Sequence, residues 1–347
     1  MQEKTFFHII LIMGNKQRLP GIIFTRVLAT IGIIFFHFFY DSKCSTKLLF
    51  QNETSFFGYI WVTCFFAISG AVLYYNYPKN FSLKTFYFKR WKSIFPIFYL
   101  SWLFWYTLIA ISRKTLFWAG NPLKLILSFL GIDGYFYYII PNYYLVGEWF
   151  LGAIIFLYIL YPLLCRFINR NILVIPIVLL LVYIDAYKTK FIINYDILRP
   201  FIYITLFYLG MITIKYKNLF FNNKITGLTS LIFFLYLCFV KVDLPCIEQI
   251  HGFFLFIVLV QTGNYIMNFS INSIFNFLDK ISFPIFLFHH QIINVFFKFY
   301  NPSDIKYAVL TLLLVIITTI ICAKIMQEIT NFILGTKTFK KIESKFI

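Results

Sequence analysis

Ten predominantly apolar stretches follow one another along the chain, separated by short polar segments. They run over Gly21–Tyr40, Phe57–Tyr75, Ile94–Ser112, Gly147–Cys165, Ile172–Tyr187, Pro200–Ile214, Ile225–Val240, His251–Asn268, Ile281–Phe299 and Tyr307–Leu334. A helix that crosses a bilayer needs about 20 mostly apolar residues. The pattern therefore predicts an all-α fold, a polytopic integral membrane protein with about ten transmembrane helices. One further stretch, Pro122–Ile140, is apolar but broken by Gly131, Asp133 and Gly134 and followed by Pro141. It reads as an interfacial or re-entrant segment rather than a span. The loops are short and no internal repeat is visible, so residues 1–347 read as a single membrane domain, with 1–18 as an N-terminal segment and 335–347 as a basic tail.

Composition agrees with that pattern. Apolar residues make up 61% of the 347 and charged residues only 13%, and mean hydropathy is +0.80. A soluble globular domain carries roughly 25% charged residues, and disorder requires low hydrophobicity. Both classes are excluded. The formal net charge of +18 would otherwise point to nucleic acid. In a membrane chain it follows instead from the excess of Lys and Arg in cytoplasmic loops, so no nucleic-acid partner is expected. The basic residues concentrate in one set of alternate loops, which places both termini in the cytoplasm and makes the number of spans even. If Pro122–Ile140 spanned, the basic tail would lie outside. The run Phe6–Met13 is short, is followed by Asn15-Lys16-Gln17-Arg18 and has no small-residue cleavage site, so it reads as an interfacial helix rather than a secretory signal.

Six cysteines are scattered without a metal-binding pair such as Cys-x-x-Cys, and no metal site is expected from them. Cys44 and Cys246 both fall on the outer face, where a disulfide is an option. Cys64, Cys165, Cys238 and Cys322 read as buried small apolar residues.

Ionisable residues within a span are costly and therefore functional candidates. The first span reads Arg26-VLATIGIIFF-His37. Eleven helical steps come within about 20° of three full turns and rise about 16 Å. Arg26 and His37 thus share a face, Arg26 near the cytoplasmic end and His37 near the outer end. Asp41, four residues beyond, lies on the same face and is placed to orient the imidazole. The competing reading has Arg26 snorkelling to the headgroups and His37 as an interhelical contact. The ninth stretch carries Ser282-FPIFLF-His289-His290. His289 reads as a buried polar partner or a catalytic group, His290 as structural or cavity-lining. The run Lys89-Arg90-Trp91-Lys92-Ser93 at the start of the third span either anchors the inner leaflet or captures an anionic cofactor. Glu148 and Arg199 read as vestibule-lining or interfacial. His251 beside Glu248, His8 and Lys324 have structural explanations.

These residues resemble the acyltransferase-three family of integral membrane O-acyltransferases. Arg26-x10-His37 matches the family's Arg–ten residues–His signature. Phe65-Phe66-Ala67-Ile68-Ser69-Gly70 is similar to its Phe-Phe-x-x-Ser-Gly segment. Lys89-Arg90-Trp91-Lys92-Ser93-Ile94-Phe95-Pro96 is similar to its Arg-x-x-Arg-Ile-x-Pro run, and Ser282-FPIFLF-His289 to its late Ser-Tyr-x-x-Tyr-Leu-x-His. Trp149-Phe150-Leu151 with Tyr158 and Pro162 adds a further segment. Ser93 stands where the family has a second Arg, so Lys89 or Lys92 would take its part. Phe283 and Phe286 stand where Tyr is common.

The resemblance implies acyl transfer, usually of acetyl from acetyl-CoA, to a hydroxyl of a cell-surface or lipid-linked glycan at the bacterial inner membrane. On that reading His37, His289 and Asp41 are the catalytic group. Arg26, Lys89, Arg90, Lys92 and Ser69 serve the acyl donor, and no metal takes part. His37 would act as general base or carry the acyl group itself. A transporter or flippase of lipid-linked sugars would also use buried Arg and His, and another acyl group such as succinyl would suit the same chemistry.

Overall fold

The computed structural model describes residues 19–44, 54–136, 139–170, 173–189, 199–240, 242, 246–267 and 272–346. No strand occurs among them. The helices are α1 (Pro20–Asp41), α2 (Thr54–Asn76), α3 (Leu83–Arg113), α4 (Leu125–Leu130), α5 (Glu148–Ile168), α6 (Val174–Thr189), α7 (Arg199–Lys215), α8 (Lys224–Phe239), α9 (Ile247–Ile266), α10 (Asn272–Phe299), α11 (Ile305–Gly335) and α12 (Lys337–Glu343). All except α4 and α12 overlie the ten apolar stretches. Five are long and apolar enough to cross a membrane, namely α1, Phe57–Asn76 within α2, α3, α5 and α11. Helices α7 and α8 are apolar but shorter. Helix α10 carries Asp279, Lys280, two histidines, Gln291 and Asn294, because it supplies one wall of a polar site.

The Pro122–Ile140 stretch does not span. Its pieces are a 3-10 turn at Pro122–Lys124, the six-residue α4 and a second 3-10 turn at Asp133–Tyr135. Helix α4 rises only about 9 Å. Gly131 ends it in the left-handed region at φ +69°, a conformation that side chains with a Cβ disfavour. The N-terminal segment 1–18, with His8, lies outside the described residues, as does the side chain of Arg199.

Small residues set the helix spacing. Lipid tails are as apolar as leucine, so packing rather than water exclusion holds membrane helices together, and small residues let backbones approach. A Cβ on Gly70 of α2 would fall 1.8 Å from the carbonyl oxygen of Phe207 on α7, and one on Gly210 of α7 would fall 2.0 Å from that of Ala67. The two glycines make a reciprocal backbone contact. Gly32 of α1 accepts the Trp61 indole of α2 at comparably close range. Helix α2 is thereby a central post against which α1, α7 and α9 pack.

Helices α1 and α10 lie side by side and run in the same direction, as three contacts at successive heights show. Arg26 pairs with Asp279 at 2.5 Å. The His37 ring lies 5.1 and 5.0 Å from those of His289 and His290. Beyond the helix ends, Lys43 N–H donates to Asn301 Oδ1 at 2.8 Å and Asn301 Nδ2 donates to the Asp41 carbonyl at 3.1 Å.

The Gly70 contact yields a direct expectation. Gly70→Ala forces α2 and α7 apart and destabilises the bundle by about 1–3 kcal/mol, the usual cost of overpacking. Thermal unfolding of the detergent-solubilised variant reads this, and an unchanged midpoint would show that the α2–α7 spacing is looser than described.

Candidate active site

A cavity of about 1190 Å³ opens among the C-terminal halves of α1, α3 and α10, the N-terminal halves of α2 and α5, and the loop at 141–147. His37, His289 and His290 lie in its wall, together with Trp105, Trp118 and Trp149. Arg113 and Lys298 lie at the last turns of their helices.

Two helices bring the three imidazoles together. His289 is 3% exposed. Its Nδ1 lies 2.6 Å from the Phe286 carbonyl, which fixes the proton on Nδ1. Nε2 is left as a bare acceptor, buried and without a hydrogen-bond partner. The Asn294 amide lies 3.2 Å from His290 Nδ1. An amide donor there leaves the His290 proton on Nε2, the nitrogen facing Asp41 Oδ2 at 4.0 Å. Asp41 was expected to orient His37. The structure gives its closest approach to His290 instead, because α10 brings a second ring to the carboxylate. One ligand atom from each of His37, Asp41 and His290 falls within 4.8 Å of the others. The carboxylate therefore serves a two-ring cluster rather than a single imidazole.

A buried carboxylate holds the loop that walls the cavity. Glu148 was expected in an outward vestibule or at the interface, and is instead fully buried. Its Oε1 and Oε2 accept from Leu145 N–H at 2.9 and 3.1 Å, and Oε2 also accepts from Val146 N–H at 2.8 Å. Gln291, next to the histidine pair, donates to the Leu145 carbonyl at 2.6 Å. Asn142 Nδ2 donates to the Asp133 carbonyl at 2.8 Å, and Ser128 donates to Asp133 Oδ2 at 2.6 Å. Gly147 bends the chain at φ +84° with the Phe286 ring over it. Gln291, Asn294 and Asn142 carry no motif of their own. Their signal in the sequence is only that amides recur at helical spacing after His290.

The residues expected to hold the acyl donor lie elsewhere. None of Arg26, Lys89, Arg90, Lys92 and Ser69 lines the cavity. Arg26 pairs with Asp279, an acid that stands three residues before Ser282 at the same end of the bundle. Arg90 lies over the Tyr77 and Tyr158 rings at 5.6 and 5.8 Å, and its Nε is buried without a hydrogen-bond partner. The Ser69 hydroxyl donates to the Phe65 carbonyl one turn back at 2.8 Å. Lys92 pairs with Glu343 at 2.5 Å, so the C-terminal segment lies on the basic run. Phe339 stacks on Trp91 and Phe346 on Phe88. Lys84 donates to the Lys345 carbonyl, and Thr85 to that of Phe346. From Lys92 to Arg113, α3 rises about 31 Å, so the basic cluster and the cavity mouth sit at opposite ends of the bundle.

Other candidates resolve structurally. Lys324 pairs with Glu328 one turn on. His251 is buried beside Cys238 and the Phe234 ring. Cys44 and Cys246 are both buried free thiols, so the disulfide is not formed. Two further thiols, Cys64 and Cys165, are buried as expected. Cys322 is only partly buried and Cys238 is exposed.

The ordered segments and the paired α1–α10 histidines agree with one family. The family model described as an acyltransferase domain matches residues 19–326. The chain belongs to the acyltransferase-three family. The match covers nearly the whole chain, from α1 well into α11. No curated protein and no solved structure shows significant similarity to the chain. As a family member the protein is a membrane acyltransferase.

The buried loop support titrates. Burial holds the Asp133 carboxyl above its ordinary 3.8, up to about 6, against the opposing hydrogen bonds from Ser128 and the backbone. Between those two values the folded chain keeps a proton that the unfolded chain has lost, so stability falls as pH rises through this window. Asp133→Asn should flatten that fall in the unfolding midpoint of the solubilised protein. An unaltered slope would assign it to another group.

Proposed function

We propose that the protein is a membrane O-acyltransferase that moves an acetyl group from cytoplasmic acetyl-CoA to a hydroxyl of a cell-surface or lipid-linked glycan, in the inner membrane of a bacterium. Ten spans with both termini in the cytoplasm go with this reading. The observation that carries it is the placement of His37. It stands at the inner wall of a large aromatic cavity, about 16 Å along α1 from Arg26, and the basic run of α3 lies at the Arg26 end. The two sides of the reaction thus have separate approaches. A soluble thioester meets cations at one end, and a glycan meets aromatic rings at the other. The 16 Å interval is about the reach of an extended pantetheine arm.

A sugar hydroxyl ionises far above neutral pH and needs a base. His37 takes the hydroxyl proton as the oxygen attacks the thioester carbonyl. The C–S bond then breaks, and the imidazolium returns its proton to the leaving sulfur. Asp41, through His290, supplies negative charge beside the imidazolium that forms, as the carboxylate does in hydrolytic triads. Arg26, Arg90 and Lys92 meet the anionic nucleotide end by charge-assisted hydrogen bonds. For Arg26 and Lys92 this means exchanging Asp279 and Glu343 for phosphate. The C-terminal segment accordingly has to leave the basic run when donor binds.

Three measurements test this. His37→Ala should lower acyl transfer by about 10²–10⁴-fold, the range for a lost general base, with the protein still folded in the membrane. Mass spectra of surface glycans with and without the gene should differ by one acetyl group per site. Unchanged spectra with altered glycan export would favour a transporter, and a larger increment would favour another acyl group. Truncation after Thr336 should lower KM for acetyl-CoA several-fold with kcat little changed, because a covered binding site carries an occupancy penalty. An unchanged KM would place the donor away from Lys89–Lys92.

A further inference from the structure

The charged residues that line the cavity are of one sign, with the Asp41 carboxylate standing beside the His290 ring of its wall. Arg113 and Lys298 line it, and no Asp or Glu does. They come from different helices, α3 and α10, and meet at the same rim because both helices end there. Among the described residues neither has an acidic partner. The Arg113 guanidinium lies over the Trp118 ring at 5.7 Å, which orients it at the cavity wall. This is also the face opposite the basic Lys89–Lys92 run, the face where topology disfavours Lys and Arg. Cations retained there call for an explanation other than orientation.

The rest of the wall narrows the ligand. Trp105, Trp118 and Trp149 line the cavity, and aromatic side chains suit the C–H faces of a sugar ring. The wall amides have little to offer it. Asn142, Gln291 and Asn294 are each already engaged within the protein. Discrimination by charge then falls to the two cations. A one-sign cleft walled by apolar groups focuses its field and concentrates ligands of the opposite charge.

Taking the acyl-transfer reading as its basis, we infer that the acceptor is anionic: a sugar whose carboxylate or phosphate is held by Arg113 and Lys298 while its ring packs on the tryptophans, with a hydroxyl directed to His37. A carboxylate would belong to an acidic sugar of the glycan, a phosphate to a lipid-linked or glycosyl phosphate. Arg113 and Lys298 are binding residues in this scheme and take no part in proton transfer.

The test is binding without donor. The full chain is placed in nanodiscs of zwitterionic lipid, and its tryptophan fluorescence is titrated with methyl glucoside, methyl glucuronide and glucose 1-phosphate. At least one anionic probe should bind roughly tenfold more tightly than the neutral glycoside, about 1.4 kcal/mol, and added salt should erode the difference. Preference for the glucuronide alone assigns a carboxylate, and preference for the phosphate alone assigns a phosphorylated acceptor. Arg113→Gln with Lys298→Gln should remove the preference, whereas His37→Ala should keep it. Equal affinity for the three probes, absence of binding, or a preference that survives the double substitution overturns the inference. So does a double variant whose only change is lower thermal stability in anionic-lipid nanodiscs, since the cations are then headgroup anchors. Because no acyl group is transferred, failure here leaves the His37 test untouched. Failure of the His37 test likewise leaves the anion preference standing.

Discussion

An arginine and an aspartate largely withdrawn from water in a hydrophobic bundle are costly to leave unpaired. Arg26 on α1 finds Asp279 on α10 at 2.5 Å. That pair sets the height of one helix against the other. Equal rises along two parallel helices then bring His37 level with His289 and His290, eleven and ten or eleven residues further on. The same alignment puts Asp41 against His290 and Asn301 against the end of α1. A register shift of one turn, about 5.4 Å, would separate the rings and disperse the cluster. The site is thus a consequence of helix register, and the ion pair is the part of that register with the highest cost of failure.

The cavity needs a second support, since a buried loop is tolerated only where its backbone groups are satisfied by protein. Glu148 meets that condition by accepting from two successive N–H groups, and Gln291 takes the intervening carbonyl. The glutamine stands next to the histidine pair, so the loop wall and the imidazoles are held by one stretch of α10. Pairing, ring placement and wall support all pass through that helix. This explains why α10 is less apolar than α1 and α11, against which it packs.

The two ends of the bundle differ in kind. The Arg26 end is closed by ion pairs, Arg26–Asp279 and Lys92–Glu343, and by the aromatic stacking of Phe339 and Phe346. The other end is open, and its cations face a cavity. On the proposed reading this asymmetry gives a barrier that yields to the donor and a vestibule that admits the acceptor.

Much of this was legible along the chain. Runs of apolar residues determine helices in lipid, because a bare backbone there must bond within its own segment, and ten helices lie on the ten stretches. The break in Pro122–Ile140 was equally plain, since Gly131 requires a left-handed turn. The shared face of Arg26 and His37 is fixed by helical geometry alone, so both could be singled out as ionisable residues in a span. What tertiary structure decided is which residues meet. No local rule states that Asp41 approaches His290, that Glu148 is buried under a loop, or that Asp279 and Glu343 neutralise two of the cations. Those partners lie 249, 253 and 251 positions apart for Asp41–His290, Arg26–Asp279 and Lys92–Glu343, and the first two meet only because α1 and α10 pack side by side. The close approach of α2 to α7 and α1 is set by glycines, whose contribution is the space they leave. Periodicity reads the side chains that are present and carries no record of that space.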